Sequence, residues 1–479
     1  MILSGNFVLP FGWYTHISII GYMVYRAGYH AASRITFGRM MDRSSLSELL
    51  QKFSRHGREL VRRHLPFAAS GAGAARSRVE MMTDMARDLI SNRGEASGVA
   101  IAADLLRLYE TAGESDRTAF FAALAAGFNP DRSRLVAAWS RFESDGWNAY
   151  PELARAIEAP RQELFRRLNL APGGTAALVR MREQLLGMRE LPGVGLVETD
   201  LAHLLQSWFN RGFLSMRVIN WSSPARLLER VIGYEAVHHI RDWTDLRSRL
   251  DPPDRRCFAF FHPAMPDDPL IFVEVALTDA VPASIQELLA PNRVPLAIED
   301  FTTAAFYSIS NCQPGLRGIS FGHFLIKQVA TDLQREIPGL KHFVTLSPIP
   351  GFMRWLRTDD PELAQHAEAE AASHRDRLLA RALDYFLEVK DPEGRPIDPV
   401  ARFHLGNGAR LEQLNWMGDS SEKGLRESAG MMVNYLYDLP AVEELHERYA
   451  NRGAIPIGKP VRQLMAKLES HSQSMEFQG

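Results

Sequence analysis

Cysteine is nearly absent from this chain of 479 residues, which has only Cys257 and Cys312. That excludes a framework of several disulfides and any cysteine-rich metal site, and it suits a reducing compartment. A single bridge, within or between chains, stays open. A surplus of charge of one sign is also missing. Lysine and arginine number 55 against 57 aspartates and glutamates, a net −2, so no general basic field exists to hold nucleic acid or an anionic membrane. No zinc-ligand spacing occurs, and the adjacent His238 and His239 cannot share one helix or strand face as metal ligands do. There are no internal repeats and no long low-complexity tract. The apolar stretch within residues 1–41 is broken by His16 and Gly21, is short for a bilayer span, and lacks the leading positive charge of a secretory signal. Arg26, Arg34 and Arg39, with no acid before Asp42, resemble a transit peptide only faintly. A mis-started or disordered extension is expected over 1–41, with Met40 or Met41 as the true first residue.

The chain as a whole is long enough for more than one domain, and its 46% apolar and 23% charged residues are those of an ordinary globular protein. Residues 42–195 read as helical and strand-poor. Ser44 ahead of Leu46, Leu49, Leu50 and Phe53 predicts a capped amphipathic helix, and residues 68–75 a small-residue connector. Two further apolar faces come from Ile101, Leu105, Leu108 and Tyr109, and from Phe120, Phe121, Leu124 and Phe128. No catalytic constellation stands out here, and the acids and arginines read as solvated helix faces. The expectation is a helical bundle used for packing and for assembly into a homo-oligomer.

The texture changes at Pro192-Gly193-Val194-Gly195, taken as the boundary to a second domain over 196–479. Strands are predicted at Arg217–Trp221, Arg256–Phe261 and Leu270–Thr278, the last apolar on both faces apart from Glu274, as a central strand should be. Ser222-Ser223-Pro224 predicts a cap for the helix carrying Leu227, Leu228 and Val231. Residues 360–389 read as a charged, helical surface insertion. The informative stretch is Thr303 to Ser347. Two segments rich in β-branched and aromatic residues flank a loop with Gly315, Gly318 and Gly322, then an apolar repeat at Leu325, Ile326, Val329 and Leu333. This predicts strand–loop–helix–strand with the two strands parallel. The loop opens at a helix N-terminus, where unpartnered N–H groups suit a pyrophosphate, and glycine lets the backbone come close.

The run Arg317-Gly318-Ile319-Ser320-Phe321-Gly322-His323 resembles the pyrophosphate loop of GNAT-type acetyltransferases, with Ser320 standing where glycine is usual. The fold expected is therefore α+β: an N-terminal all-helical bundle followed by a GNAT-like mixed β-sheet domain with flanking helices. Ser347 falls where a parallel strand ends beside that loop, the edge where open α/β sheets bind ligands, although it also fits an ordinary turn before Pro348. Spacing alone leaves His404 open between a core residue and a catalyst. It leaves Tyr437 open between core aromatic and hydrogen-bond donor, and His262 between lining a cleft and ending a strand.

Several blocks in order resemble the malonyl-CoA decarboxylase family. They are His262-Pro263, Phe306-Tyr307-Ser308-Ile309-Ser310, Leu346-Ser347-Pro348-Ile349-Pro350-Gly351-Phe352, Phe403-His404-Leu405 with Asn407-Gly408-Ala409, and Asn415-Trp416-Met417. The resemblance implies a carboxy-lyase converting malonyl-CoA to acetyl-CoA and CO2, with coenzyme A as part of the substrate and no separate cofactor or metal. It implies Ser347 as proton acceptor, His404 as proton donor and Tyr437 as an active-site tyrosine. Arg317, Gly318, Ile319, Ser320, Phe321, Gly322 and His323 match the segment that contacts the coenzyme; some members carry a glutamate at the place of Ser320. The family's peroxisomal form ends in a Ser-Lys-Leu type signal; this sequence ends Glu476-Phe477-Gln478-Gly479, and a cytoplasmic location without membrane contact is expected. A GNAT-type acyltransferase, or a non-catalytic sensor of coenzyme A, are the rival readings.

Overall fold

The computed structural model describes residues 76–91, 94–319 and 325–476. The expectations for residues 1–41, for the helix after Ser44 and for the connector at 68–75 lie outside the described residues. So do those for Ser320, Phe321, Gly322 and His323. Residues 73–94 and 101–479 form one compact unit; of the other unit, 1–72 with 95–100, only the turns opening one helix are described.

The first part is helical, as expected: α1 (Arg78–Ile90), α2 (Glu95–Glu110), α3 (Glu114–Gly127), α4 (Arg132–Asp145), α5 (Tyr150–Ile157), α6 (Pro160–Asn169), α7 (Gly174–Leu186) and α8 (Val194–Trp208). Local chemistry sets several of the starts. Ser77 and Glu80 form a capping box on α1, Asp131 caps α4, and Pro160 occupies the first turn of α6. The apolar faces meet as their spacing requires, with Tyr109 against Phe120 and Phe121 at centroid distances of 6.0 and 5.7 Å.

The charged residues of this part do not all sit on solvated faces. Arg161 is buried, ion-paired to Asp200, and donates to the Asn129 side chain at 2.5 Å. Arg182 and Glu198 are both almost fully buried and joined to each other, with Nε to Oε1 at 2.9 Å. A buried charge needs a partner to offset the loss of water, so each of these arginines has one or more.

The second part is built on an eight-stranded mixed sheet. β1 (Ser215–Ile219) is followed by α9 (Ala225–Tyr234) and α10 (Trp243–Leu250), then by β2 (Arg255–His262), β3 (Met265–Thr278), the short α11 (Ile285–Leu288) and β4 (Thr303–Asn311). After the loop come α12 (Leu325–Glu336), β5 (His342–Thr345) and β6 (Ser347–Pro348). Next are α13 (Phe352–Asp359), α14 (Pro361–Glu370), α15 (Arg375–Leu387), α16 (Pro399–Gly406), β7 (Arg410–Asn415), α17 (Glu422–Ser428), β8 (Met432–Leu436), α18 (Val442–Arg452) and α19 (Lys459–Glu476). The strand order is β1-β2-β3-β4-β5-β8-β6, with β7 also paired to β8. This is the α+β class expected.

β3 is central; its buried part, 269–277, has one acid, Glu274, which meets Arg249 at 3.3 Å. β1 stops at Ile219, two residues short of the expected end, because the Asn220 side chain accepts from Ser222 N–H and starts a turn. Ser223 joins that turn by accepting from Asn220 N–H instead of capping α9, which has no side-chain cap.

Residues 360–389 differ from the expected surface insertion. Leu378, Leu379, Ala382, Tyr385 and Phe386 of α15 are buried in the main core, and Tyr385 packs on Phe352 and Trp355 at 5.8 and 5.3 Å. The spacing of those residues is that of one helix face, and it faces inward. Tyr385 also leaves no room beside Gly351, where a Cβ would stand 2.3 Å from its hydroxyl.

Candidate active site

The unit Thr303 to Ser347 folds as its pattern requires. β4 and β5 are parallel, paired from Thr303↔His342 to Phe306↔Thr345, with α12 between them in sequence. The pairing then stops. β4 runs on to Asn311, while the other chain turns away to pair Ser347 and Pro348 with Val433 and Met432 of β8. From Tyr307 onward β4 has no strand partner on that side among the described residues, and a cavity of about 450 Å³ opens there. Phe306, Ile309 and Asn311 of β4, Ile319 of the loop, Leu325 of α12, Ser347 and His404 are among its lining residues. The lining is mostly apolar, and among the described residues Arg402 is its one charged side chain.

Ser347, His404 and Tyr437, far apart in sequence, come together here, Ser347 and His404 at the wall and Tyr437 behind it. Ser347 Oγ is 3.2 Å from His404 Nε2, and His404 Nδ1 is 2.8 Å from the Tyr437 hydroxyl. Each is placed by a different element. His404 ends the short α16, whose start is fixed by Pro399 and by the buried Asp398 accepting from Ala401 N–H. Asp398 also accepts from the Tyr385 hydroxyl at 3.3 Å, so α15 buttresses the helix that carries the histidine. Tyr437 follows β8 directly, and its N–H is bound by Phe343 C=O at 2.8 Å. The Asn415 block serves the same strand: Asn415 donates to Asn434 at 2.6 Å, and Asn434 donates to Thr345 C=O at 2.7 Å.

Thr345 is a member of the site that sequence reasoning passed over. Its Oγ1 accepts from Ser347 at 2.8 Å and from Tyr435 N–H at 3.1 Å. Ser347 spends its one proton on Thr345, so its oxygen is left to accept from His404. That places the imidazole proton on Nε2 and leaves Nδ1 to accept from Tyr437. The signal in the sequence was the two-residue spacing from Ser347. Arg402 was likewise missed, two residues before His404.

His404 is stacked on Tyr435 at a centroid distance of 4.6 Å and fully enclosed, and burial pulls its pKa down from 6.5 to about 3. The ring is therefore neutral near pH 7. Burial also pushes the Tyr437 phenol well above its ordinary value, which keeps it a donor. Below pH 6.5 the unfolded chain takes up a proton that the folded one refuses until about pH 3, so this group's contribution to stability is lost as pH falls through that window. Wild type is therefore expected to lose about 2 kcal/mol more than His404→Gln between pH 6.5 and about pH 5. Denaturant melts at the two pH values check this; parallel losses would contradict it.

Of the expected loop, Arg317, Gly318 and Ile319 are described. Gly318 has φ +79°, a left-handed conformation that glycine adopts without strain, and no neighbour stands within 4 Å of where its Cβ would be. The loop's entry is held from the helical part. Arg182 donates to Gly315 C=O at 2.6 Å and to Arg317 C=O at 2.9 Å, and a Cβ on Gly315 would lie 1.9 Å from Val179 C=O. His262 does not line the cavity: it ends β2, with Nε2 3.1 Å from Trp208 C=O. Cys257 and Cys312 are buried free thiols, and no group of acids, histidines and cysteines among the described residues is arranged to hold a metal.

Comparison with known proteins adds an independent line. The family model of the malonyl-CoA decarboxylase C-terminal domain matches residues 212–475, and that of the N-terminal domain matches 128–209. The mitochondrial malonyl-CoA decarboxylase of Rattus norvegicus is 32% identical over 425 residues, 78% of this chain and 86% of the relative; that of Anser anser anser is 34% identical over 355 residues, 65% and 70% respectively. Among solved structures, malonyl-CoA decarboxylase from Rhodopseudomonas palustris superposes with a TM-score of 0.77 at 51% identity, covering 81% of this chain and all of that one. The Agrobacterium vitis enzyme gives 0.75 at 48% identity, covering 80% and 99%. With both domain models matched in order and relatives aligned over most of their length, the chain belongs to the malonyl-CoA decarboxylase family.

Proposed function

We infer that this chain is a carboxy-lyase that converts malonyl-CoA to acetyl-CoA and CO2. The observation that carries the reading is the line Tyr437–His404–Ser347–Thr345 at the wall of a mostly apolar cavity beside the glycine loop, in a chain of this family. Breaking the bond to the carboxyl carbon sends its electron pair into the thioester, which is the electron sink, so the chemistry needs no metal and no separate cofactor. An apolar wall disfavours the carboxylate relative to neutral CO2. The enolate left behind needs a proton on carbon, the work of a positioned general acid.

His404 supplies that proton, and Ser347, with its hydroxyl turned from Thr345 to the substrate, hydrogen-bonds the departing carboxylate or relays the proton. The substrate's own negative charge, brought beside the imidazole, raises its pKa and favours a protonated ring. Tyr437 orients the ring through Nδ1. The phosphates are held at the loop from Arg317 to His323, and that remote binding offsets the cost of orienting the malonyl group. Incubating the purified chain with malonyl-CoA and no acyl acceptor tests the reading: CO2 and acetyl-CoA are expected in equal amounts. Free coenzyme A without CO2, appearing only after an amine is added, would mean an acyltransferase, and coenzyme binding without turnover would mean a sensor.

Self-association through the helical part is proposed as well. Trp139, Phe142, Trp147 and Tyr150 of α4, α5 and the turn between them form a ladder of ring contacts 5.5 to 6.0 Å apart, and Trp147 is 78% exposed. Exposed apolar surface of this kind marks an interaction face. Sedimentation should give a smaller species for Trp147→Ser than for wild type; a wild type that sediments as a monomer would contradict the proposal. Among the described residues no helix is long and apolar enough to cross a membrane. The scarcity of cysteine, with both residues buried and unbridged, supports a cytoplasmic location, which cell fractionation checks.

A further inference from the structure

A second cavity, of about 630 Å³, shares Ile319 with the first and is walled by α7, α8 and loop residues 317–319. Its character is the opposite. Three guanidiniums, from Arg182, Arg189 and Arg317, face it against one carboxylate, Glu198, which leaves an excess of positive charge. Glu198 is already shared, with Arg182 on one oxygen and Arg189 on the other at 2.6 Å. Arg317 has no ion pair or side-chain hydrogen bond among the described residues. Gln206 adds an exposed amide donor. The volume is that of a ligand site rather than a packing defect.

An acyl-coenzyme A is long, with its reacting acyl group at one end and its phosphates and adenosine at the other. The first cavity suits only the acyl end, being apolar with a single charge. We propose that the second cavity binds the phosphate-bearing nucleotide end, so that Ile319 stands between the two ends of one bound molecule. This deepens the decarboxylase reading and rests on it. It gives the helical part a direct share in substrate recognition: Arg189 and Gln206 act as binding residues, and the Arg182–Glu198 pair fixes the wall. The phosphate chemistry has two sources in the molecule, the 3′-monoester and the diphosphate.

The test compares kcat/KM for malonyl-CoA, malonyl-3′-dephospho-CoA and malonyl-pantetheine in wild type, Arg189→Gln and Gln206→Glu, with folding checked by thermal melts. Arg189→Gln leaves Glu198 its Arg182 partner, and Gln206→Glu only adds a negative charge at an exposed position. Each should lower the ratio of malonyl-CoA to malonyl-pantetheine by about tenfold or more, the usual weight of a charged hydrogen bond. If the dephospho substrate escapes the loss, the monoester is the group bound; if it shares the loss, the diphosphate is. An unchanged ratio, whether both substrates suffer equally or neither does, overturns the proposal. A wild type that turns over none of the three sinks the decarboxylase reading instead. Calorimetry with coenzyme A then decides the cavity alone, weaker binding to Gln206→Glu than to wild type supporting it and equal binding overturning it.

Discussion

Replacing His404 with asparagine is expected to lower the rate of CO2 release by roughly 10²–10⁴-fold, the usual share of a general acid. Asparagine is polar and smaller than imidazole, so the cavity keeps its character but loses the ring that bridges Tyr437 and Ser347. Binding of the coenzyme should change little, because the proposed phosphate site is the loop and not the histidine. The loss should therefore fall on kcat and not on KM. Near-normal turnover in a folded variant would take the histidine out of the chemistry and leave it a core residue stacked on Tyr435.

The largest expected effect on stability belongs to Arg182, in the helical part. Arg182→Met removes one partner of a pair exposed by only 3% and 4%, and it strips the donors from Gly315 C=O and Arg317 C=O. Breaking a buried pair from one side costs about 3–5 kcal/mol, because the remaining charge stays in a medium of low polarity. Glu198 keeps Arg189, which is half-exposed, so the lower end of that range is expected. Denaturant melts measure it. The same variant should raise KM for malonyl-CoA more than it lowers kcat, since what comes loose is the entry to the loop proposed to bind the coenzyme. Stability loss without any change in KM would mean that the clamp holds the core alone.

Local pattern in the sequence carried the sheet unit well. β-branched segments, an apolar repeat at helical spacing and glycines between them dictated β4, loop and α12, and a helical crossover requires parallel strands. What local pattern could not carry was the meeting of Ser347, His404 and Tyr437. They lie 57 and 33 residues apart, and β8 brings them together by pairing with β5, β6 and β7 at once. Their roles entered through the resemblance of short blocks. Arg182 and Glu198 looked like surface charges because nothing nearby needs them; the carbonyls that Arg182 serves are 133 and 135 residues away. The inward face of α15 was readable. Leu378, Leu379, Ala382 and Phe386 keep helical spacing, and the charges between them drew attention to the other face.

The central claim is that Ser347 and His404 act as one unit in delivering a proton to the enolate. It is tested most directly by the rate of CO2 release in wild type, Ser347→Ala, His404→Asn and the double variant, at saturating malonyl-CoA. If the two residues share one proton-transfer event, either single substitution disables it, and the double variant loses far less than the product of the two single losses. Losses that multiply would show two residues working independently, and would contradict the account even if each single loss were large.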